Sequence, residues 1–277
     1  LINFVLLLQK STKHPLMKKI FLGIAAIVLV SMSIVGTSWK AVEHPQTQQQ
    51  AVQNIAADSS YNRFIDTLYH TAHLDSAGLK EEVFEKALTG FYNMKYNGLL
   101  NSKSILTIAD FDQESRNKRL YIIDLDKKKL ILNTWVSHGQ NSGGDKPSSF
   151  SNTPNSNQSS IGFYLTGEIY YGKHGRSLRL DGMDQGFNSN ARERAIVVHG
   201  ADYVCQESID KLGRLGRSQG CPAVPSKLAD EVIDAISNHT VLFINNSDEQ
   251  YRSSFLNETL AATVALNQDE VLAANMD

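Results

Sequence analysis

Gly216-Arg217-Ser218-Gln219-Gly220-Cys221-Pro222, taken with the run Ala195-Ile196-Val197-Val198 that ends in His199-Gly200, decides how this chain is read. The first is a glycine-marked turn around a cysteine; the second is a β-branched strand that delivers a histidine at its end. Glycines beside a cysteine let backbone N–H groups converge near the sulfur, and the oxyanion of an acyl-transfer intermediate needs such a convergence. A thiol of ordinary pKa is mostly protonated at neutral pH, and an adjacent imidazole that takes its proton is the usual means of activation. The pair predicts Cys221 as a nucleophile and His199 as its base.

On either side of these segments the texture is mainly β. Short β-prone runs cover Ser104 to Ala109, Leu120 to Leu125, Leu130 to Ser137, Ile161 to Tyr171 and Leu178 to Leu180, and a further one covers Thr240 to Ile244. Between Tyr61 and Leu100 the apolar residues instead recur at helical spacing (Phe64, Ile65, Leu68; Val83, Phe84, Ala87, Leu88, Phe91), interrupted at Ala77-Gly78, which predicts two helices. A helix is also expected over Lys227 to Ile236, opened by Pro225. The loop from Gly139 to Ser160 is too long for a simple hairpin and is either functional or mobile; its Ser and Asn cluster between Ser148 and Ser160 could line a groove, but a solvated loop is the default and no catalytic role is assigned to it. Tyr164, Tyr170 and Tyr171 lie on a strand that should turn one face to the core, so packing accounts for at least part of them and none is assigned to the site.

The two motifs resemble the L,D-transpeptidase catalytic domain, the YkuD-type family of bacterial cell-wall enzymes, whose signature is His-Gly followed by Ser-x-Gly-Cys. The match is His199-Gly200 with Ser218-Gln219-Gly220-Cys221. It extends to His138-Gly139-Gln140-Asn141-Ser142-Gly143, to Gly162-Phe163-Tyr164 and to Gly172-Lys173-His174-Gly175, which look like an exported branch of the family. The resemblance runs from about Leu79 to Ile244. It implies a β-sandwich catalytic domain of α+β class, residues 101–246, preceded by a helical segment, 61–100. It also implies roles: Cys221 the nucleophile, His199 the base, Ser218 a supporting hydroxyl, the amides of Gly220 and Cys221 the oxyanion donors, and the Gly200 carbonyl the group that orients the imidazole. The reaction implied is attack on the bond between the diamino acid and D-alanine of a tetrapeptide stem, a thioester, and transfer to an amine, with no metal or organic cofactor. Water as acceptor would make the protein an L,D-carboxypeptidase. An unreactive cysteine would make it a cell-wall binding protein of the same fold.

The chain departs from the family pattern in two places. Gln219 stands where many members carry His or Arg, and Pro222-Ala223-Val224 replaces an arginine after the cysteine. Substrate binding is therefore assigned to Gln219 and Arg217, with Arg192, Arg194 and Arg214 as further candidates for the missing guanidinium, because a guanidinium suits a stem carboxylate.

Three other chemistries are open to these residues. Cys205 and Cys221 could form a disulfide in an exported protein, but the Ser-Gln-Gly-Cys context favours a free nucleophile and leaves Cys205 a small buried hydrophobe. His138, His174 and His199, each followed by glycine, could hold zinc, but no metalloprotease helix motif accompanies them and the cysteine motif would then lack a purpose. Ser115-Arg116-Asn117-Lys118 and Ser208-Ile209-Asp210-Lys211 fit a serine acyltransferase pattern, yet no Lys-Thr-Gly follows, so both are read as surface serines.

Composition bounds the rest. With 277 residues, 42% hydrophobic and 20% charged, the chain is an ordinary globular protein rather than a disordered or polytopic one. A formal charge of −2 lacks the basic excess on which nucleic-acid binders rely, so no nucleic-acid partner is expected. Met17-Lys18-Lys19 precedes an uncharged run from Ile20 to Trp39, which reads either as a signal peptide or as a membrane anchor, residues 1–37 in all, with 1–16 upstream of the true start. Both readings place the body outside the cytoplasm, in the periplasm or cell envelope. A Gln-, Asn- and Ser-rich spacer follows over 38–60, and the acid-rich segment 247–277 reads as a solvated appendage.

Overall fold

The computed structural model describes residues 59–274, with side chains described from 59 to 267. The expected leader and nearly all of the spacer lie outside the described residues. Among those described, no helix is long and apolar enough to cross a membrane.

Two helices, α1 over 59–71 and α2 over Glu81–Tyr96, carry the helical periodicity read from the sequence. Ile65, Leu68, Val83, Phe84, Ala87, Leu88 and Phe91 are all buried in one core. Gly78, with φ of +84°, turns the chain between them. Gly90 lies where α2 crosses the sheet: a Cβ there would sit 2.0 Å from the Phe163 ring, so only glycine permits this approach. Phe163 in turn stacks on Phe243 with centroids 4.4 Å apart, fixing the helix to the middle of the sheet.

Eight strands follow: β1 Ile105–Asp110, β2 Leu120–Asp124, β3 Lys129–Thr134, β4 Gly162–Gly172, β5 Gly175–Gly182, β6 Val197–Ala201, β7 Ala223–Pro225 and β8 Val241–Asn245. They form one mixed sheet in the order β3-β2-β1-β8-β4-β5-β6-β7. β1 and β8 are parallel neighbours and every residue in both is buried, because α2 covers one region and α4 (Ala229–Ile236) packs against β1, β5 and β6. Beyond β3, Ser137 pairs with Ala223 of β7, its N–H donating to the Ala223 carbonyl at 2.8 Å. The two ends of the sheet thus meet in a barrel-like closure, and the expected β architecture is built from a single curled sheet.

Three expectations need correction. The acid-rich C-terminal segment is not an appendage: Tyr251 and Phe255 are buried, and Ala261, Ala262 and Ala265 of α5 (Glu258–Ala274) join the core as that helix packs on α2. Ser115 is a buried structural group rather than a surface one; its hydroxyl donates to Asp145 Oδ1 at 2.7 Å and accepts the Leu215 N–H at 3.0 Å. A short helix, α3 (Gln206–Leu212), has no counterpart in the sequence reading, and Cys205 is only half-buried at its start, its Sγ 3.4 Å from the Ser208 hydroxyl.

Candidate active site

Parallel pairing of β6 with β7 sets His199 opposite Ala223, two residues beyond Cys221. Histidine and cysteine thus come to one end of neighbouring strands. The turn before β7 is then held from three sides. The Ser218 N–H donates to the His138 carbonyl at 2.9 Å, and the Gln140 N–H donates to the Ser218 carbonyl at 2.8 Å. Inside the turn the Ser218 hydroxyl accepts the Gly220 N–H at 3.0 Å and donates to the Cys221 carbonyl at 2.6 Å. From the third side, the fully buried Ser159 donates to the Gly220 carbonyl at 3.2 Å while accepting the Gly139 N–H at 3.0 Å. Gly220 has φ of +124° and a Cβ on it would meet the Gln158 carbonyl at 2.7 Å, so the residue before the nucleophile must be glycine.

The Gly139–Ser160 loop therefore belongs to the site rather than to solvent. Ser142, Ser159 and Ser160 are buried, and Arg194 pins the loop through the carbonyls of Ser151 at 2.5 Å and Gln158 at 2.6 Å. Behind it, the wholly buried Arg119 donates to the carbonyls of Val136 and Gln113 and, at 2.8 Å, to His138 Nδ1. That bond makes Nδ1 the acceptor and leaves the proton on Nε2. Burial, then the Arg119 charge, drive His138 down to about 3, so it stays neutral; burial lowers Arg119 itself to about 9.

His199 Nδ1 lies 2.8 Å from the Gly200 carbonyl, to which its N–H donates, leaving Nε2 free to act as a base. Burial is the main force lowering the His199 pKa, with smaller contributions from His174 and Lys173 against the Gly200 bond, so the ring is neutral at neutral pH. The Cys221 thiol lies 3.7 Å from the Ala195 carbonyl. Burial pushes its pKa up, opposed by the Val197 N–H and by the charges of Arg194 and Lys173. Both shifts favour a neutral thiol and a neutral imidazole in the resting pair, with desolvation of the sulfur opposing the thiolate.

Cys221, His199, Ser218, Gln219 and Arg217 line one cleft of about 430 Å³, whereas Gly200 and Gly220 act from behind through their backbones. The cleft is basic, with Lys173, Arg194 and Arg217 on its walls and no acid among the described residues that line it. The four arginines separate by their bonds. Arg192 is spent on Asp181 and Glu168, and Arg214 turns to the Leu215 carbonyl. Arg217 reaches the cleft with Nη1 on the carbonyls of Gln140 at 3.0 Å and Gly143 at 2.6 Å. Because Ser218 already takes the Gly220 N–H, that amide is committed in this state, contrary to its expected role as a free oxyanion donor.

Residues 75–245 match the family model described as the L,D-transpeptidase catalytic domain. The chain belongs to this family. Similar solved structures include an L,D-transpeptidase from Mycobacterium smegmatis, at 12% identity over 52% of this chain and 59% of that one, TM-score 0.34. Another is the helical cell shape determining protein Pgp2 from Campylobacter jejuni, at 14% identity over 68% of this chain and 64% of that one, TM-score 0.36. A third is the L,D-transpeptidase from Xylanimonas cellulosilytica, at 13% identity over 65% of this chain and 93% of that one, TM-score 0.31. The chain spans 59% of the first of these and 64% of the second. None of the curated proteins matches it.

Within this L,D-transpeptidase domain the three His-Gly histidines do not come together. His174 stacks on His199, but His138 is turned inward onto Arg119, and the described residues hold no group of three or more His, Cys, Asp or Glu side chains placed to share a metal. Cys205 and Cys221 are both free thiols. Asn155, Asn157, Tyr170 and Tyr203 also line the cleft, and none of them is assigned to the site by the sequence. Asn155 and Asn157 carried a signal, since asparagine tolerates the left-handed backbone both adopt, with φ of 60° and 55°. Tyr170 and Tyr203 carried none, because wall residues are chosen by the curl of the sheet.

Proposed function

We propose that this chain is a peptidoglycan L,D-transpeptidase that uses Cys221 to release D-alanine from tetrapeptide stems and passes the acyl group to an amine. The observation that carries this reading is the shared cleft of Cys221 and His199, with Gly200 fixing the imidazole tautomer. As the thiol attacks the carbonyl carbon, its proton goes to His199 Nε2, which then protonates departing D-alanine; an incoming amine repeats the steps in reverse and frees the sulfur. The Cys221 N–H is the oxyanion donor left on the turn, since that of Gly220 serves Ser218. The basic, acid-free cleft suits a substrate rich in carboxylates. The substrate lies outside the cytoplasm, and we place the body there too, in keeping with the leader read at Met17-Lys18-Lys19.

The test is incubation of purified protein with tetrapeptide stems, with and without an amine acceptor, followed by mass spectrometry. Release of D-alanine with a cross-linked product supports transpeptidation. Release only as the shortened stem would make water the acceptor, and no release would sink the enzymatic reading.

A further inference from the structure

We propose that His174, at the tip of the β4–β5 hairpin, is a positioning residue for His199, holding the base's ring by lying flat on it. The rings are 4.2 Å apart between centroids and 19° from parallel. The hairpin brings them together by register: Gly172 pairs with Gly175, so Lys173-His174 forms a two-residue turn, and Ser177 further along β5 lies opposite His199 on β6. His174 itself is exposed, one face of its ring against His199.

The Gly200 carbonyl fixes one atom of the His199 ring, Nδ1, and about that bond the plane can still swing. A second aromatic plane laid over the first removes the swing and keeps water off one face. The stack therefore acts on Nε2, the atom through which the base works. The inference rests on His199 being the base of the proposed acyl transfer.

The titratable and charged groups that share the cleft with His199 are Tyr170 on β4, Lys173 and His174 from the hairpin, Arg194 before β6, Tyr203 after it, and Arg217 and Cys221 on the turn. Beneath β6, Asp230 and Asp234 of α4 are taken by Arg176. Replacing the exposed His174 is thus read chiefly through His199, and folding is not at stake.

The experiment compares native protein with His174→Ala and His174→Phe by two readouts that need no peptidoglycan: NMR titration of the His199 ring and the pH dependence of Cys221 alkylation by iodoacetamide. D-alanine release is the third. His174→Ala should raise the His199 midpoint toward the free imidazole value, shift the alkylation profile with it, and cut kcat roughly tenfold while KM stays within about twofold. His174→Phe, which keeps a flat ring and cannot titrate, should restore most of all three. An unmoved titration in His174→Ala overturns the proposal, and so does a His174→Phe protein as impaired as His174→Ala, since a ring nitrogen rather than the stack would then be needed. If the titration and alkylation move as described but even native protein releases no D-alanine, positioning stands and the substrate reading falls.

Discussion

Ser218 Oγ donates to the carbonyl of Cys221 at 2.6 Å, and the same oxygen accepts the N–H of Gly220 at 3.0 Å. One hydroxyl thus closes the turn on both sides of the residue bearing the thiol. Ser218→Ala leaves a buried N–H and a carbonyl without partners, which costs about 1–3 kcal/mol of stability. It also lets the Cys221 amide drift from the oxyanion position. The expected result is a lower urea midpoint and a fall in kcat larger than the change in KM; a native kcat would show that the turn holds its shape without the hydroxyl.

Cys221→Ala and His199→Ala should each abolish release of D-alanine while cooperative unfolding is retained, since neither empties a large core volume. The double variant should be little worse than either single one, because nucleophile and base act as a unit. Mass-spectrometric assay of stem peptides checks both statements, and turnover by Cys221→Ala would falsify the nucleophile assignment.

That Cys221 and His199 would come to one cleft was legible in the sequence, because glycine at 220 and a β-branched strand ending at His199 are local signals of local geometry. The helices 59–71 and Glu81–Tyr96 were legible for the same reason, their apolar spacing matching the face they bury. Gln206–Leu212 escaped because it buries none of its residues and so shows no apolar stripe. Glu258–Ala274 escaped because the residues it buries, Ala261, Ala262 and Ala265, are small and make a faint apolar stripe. Ser142 and Ser159 look like any loop serines until the sheet curls, and the stack of His174 on His199 depends on a hairpin register that no single segment encodes.

Denatured protein should titrate two thiols without reductant, as both cysteines are free. In the folded state desolvation holds the Cys221 thiol above its ordinary pKa, so alkylation should be slow near neutrality and climb at higher pH than for a small free thiol. Iodoacetamide kinetics from pH 6 to 10 with peptide mapping test this. Fast labelling that is already at its plateau by pH 7 would mean a resting thiolate instead.

His138 gives stability a defined pH dependence. Its folded pKa of about 3 lies below the unfolded value of 6.5, so the folded state binds fewer protons between them. The stability it contributes is complete above the unfolded value and is lost as pH falls through that window, at up to about 1.4 kcal/mol per unit. His199, also depressed, adds in the same direction. His138→Gln cannot charge yet offers Arg119 an acceptor, so urea midpoints between pH 7 and pH 4 should fall less steeply in the variant than in native protein; equal slopes would assign the acid sensitivity elsewhere.

We propose that Arg217 takes the place of the missing family arginine, and its bonds say what substitution should do. Its Nη1 is held by the carbonyls of Gln140 and Gly143, and it has no carboxylate partner among the described residues, so the guanidinium is oriented but its charge is not neutralised. A substrate carboxylate can then be met by the remaining nitrogens without a rotamer search. The rival reading is a strap that only ties the turn to the loop. A strap would act on Cys221 itself, whereas a binding group would act on the substrate. Arg217→Ala should therefore raise KM for tetrapeptide stems by the equivalent of about 1.5–3 kcal/mol, the cost of a lost charge-assisted hydrogen bond, with Cys221 alkylation nearly unchanged. Arg217→Lys should recover only part of the loss, because an ammonium keeps the charge but not the planar fork. If alkylation shifts while KM does not, Arg217 is a strap, and the substrate carboxylate must be sought at Lys173 or Arg194 on the facing walls of the cleft.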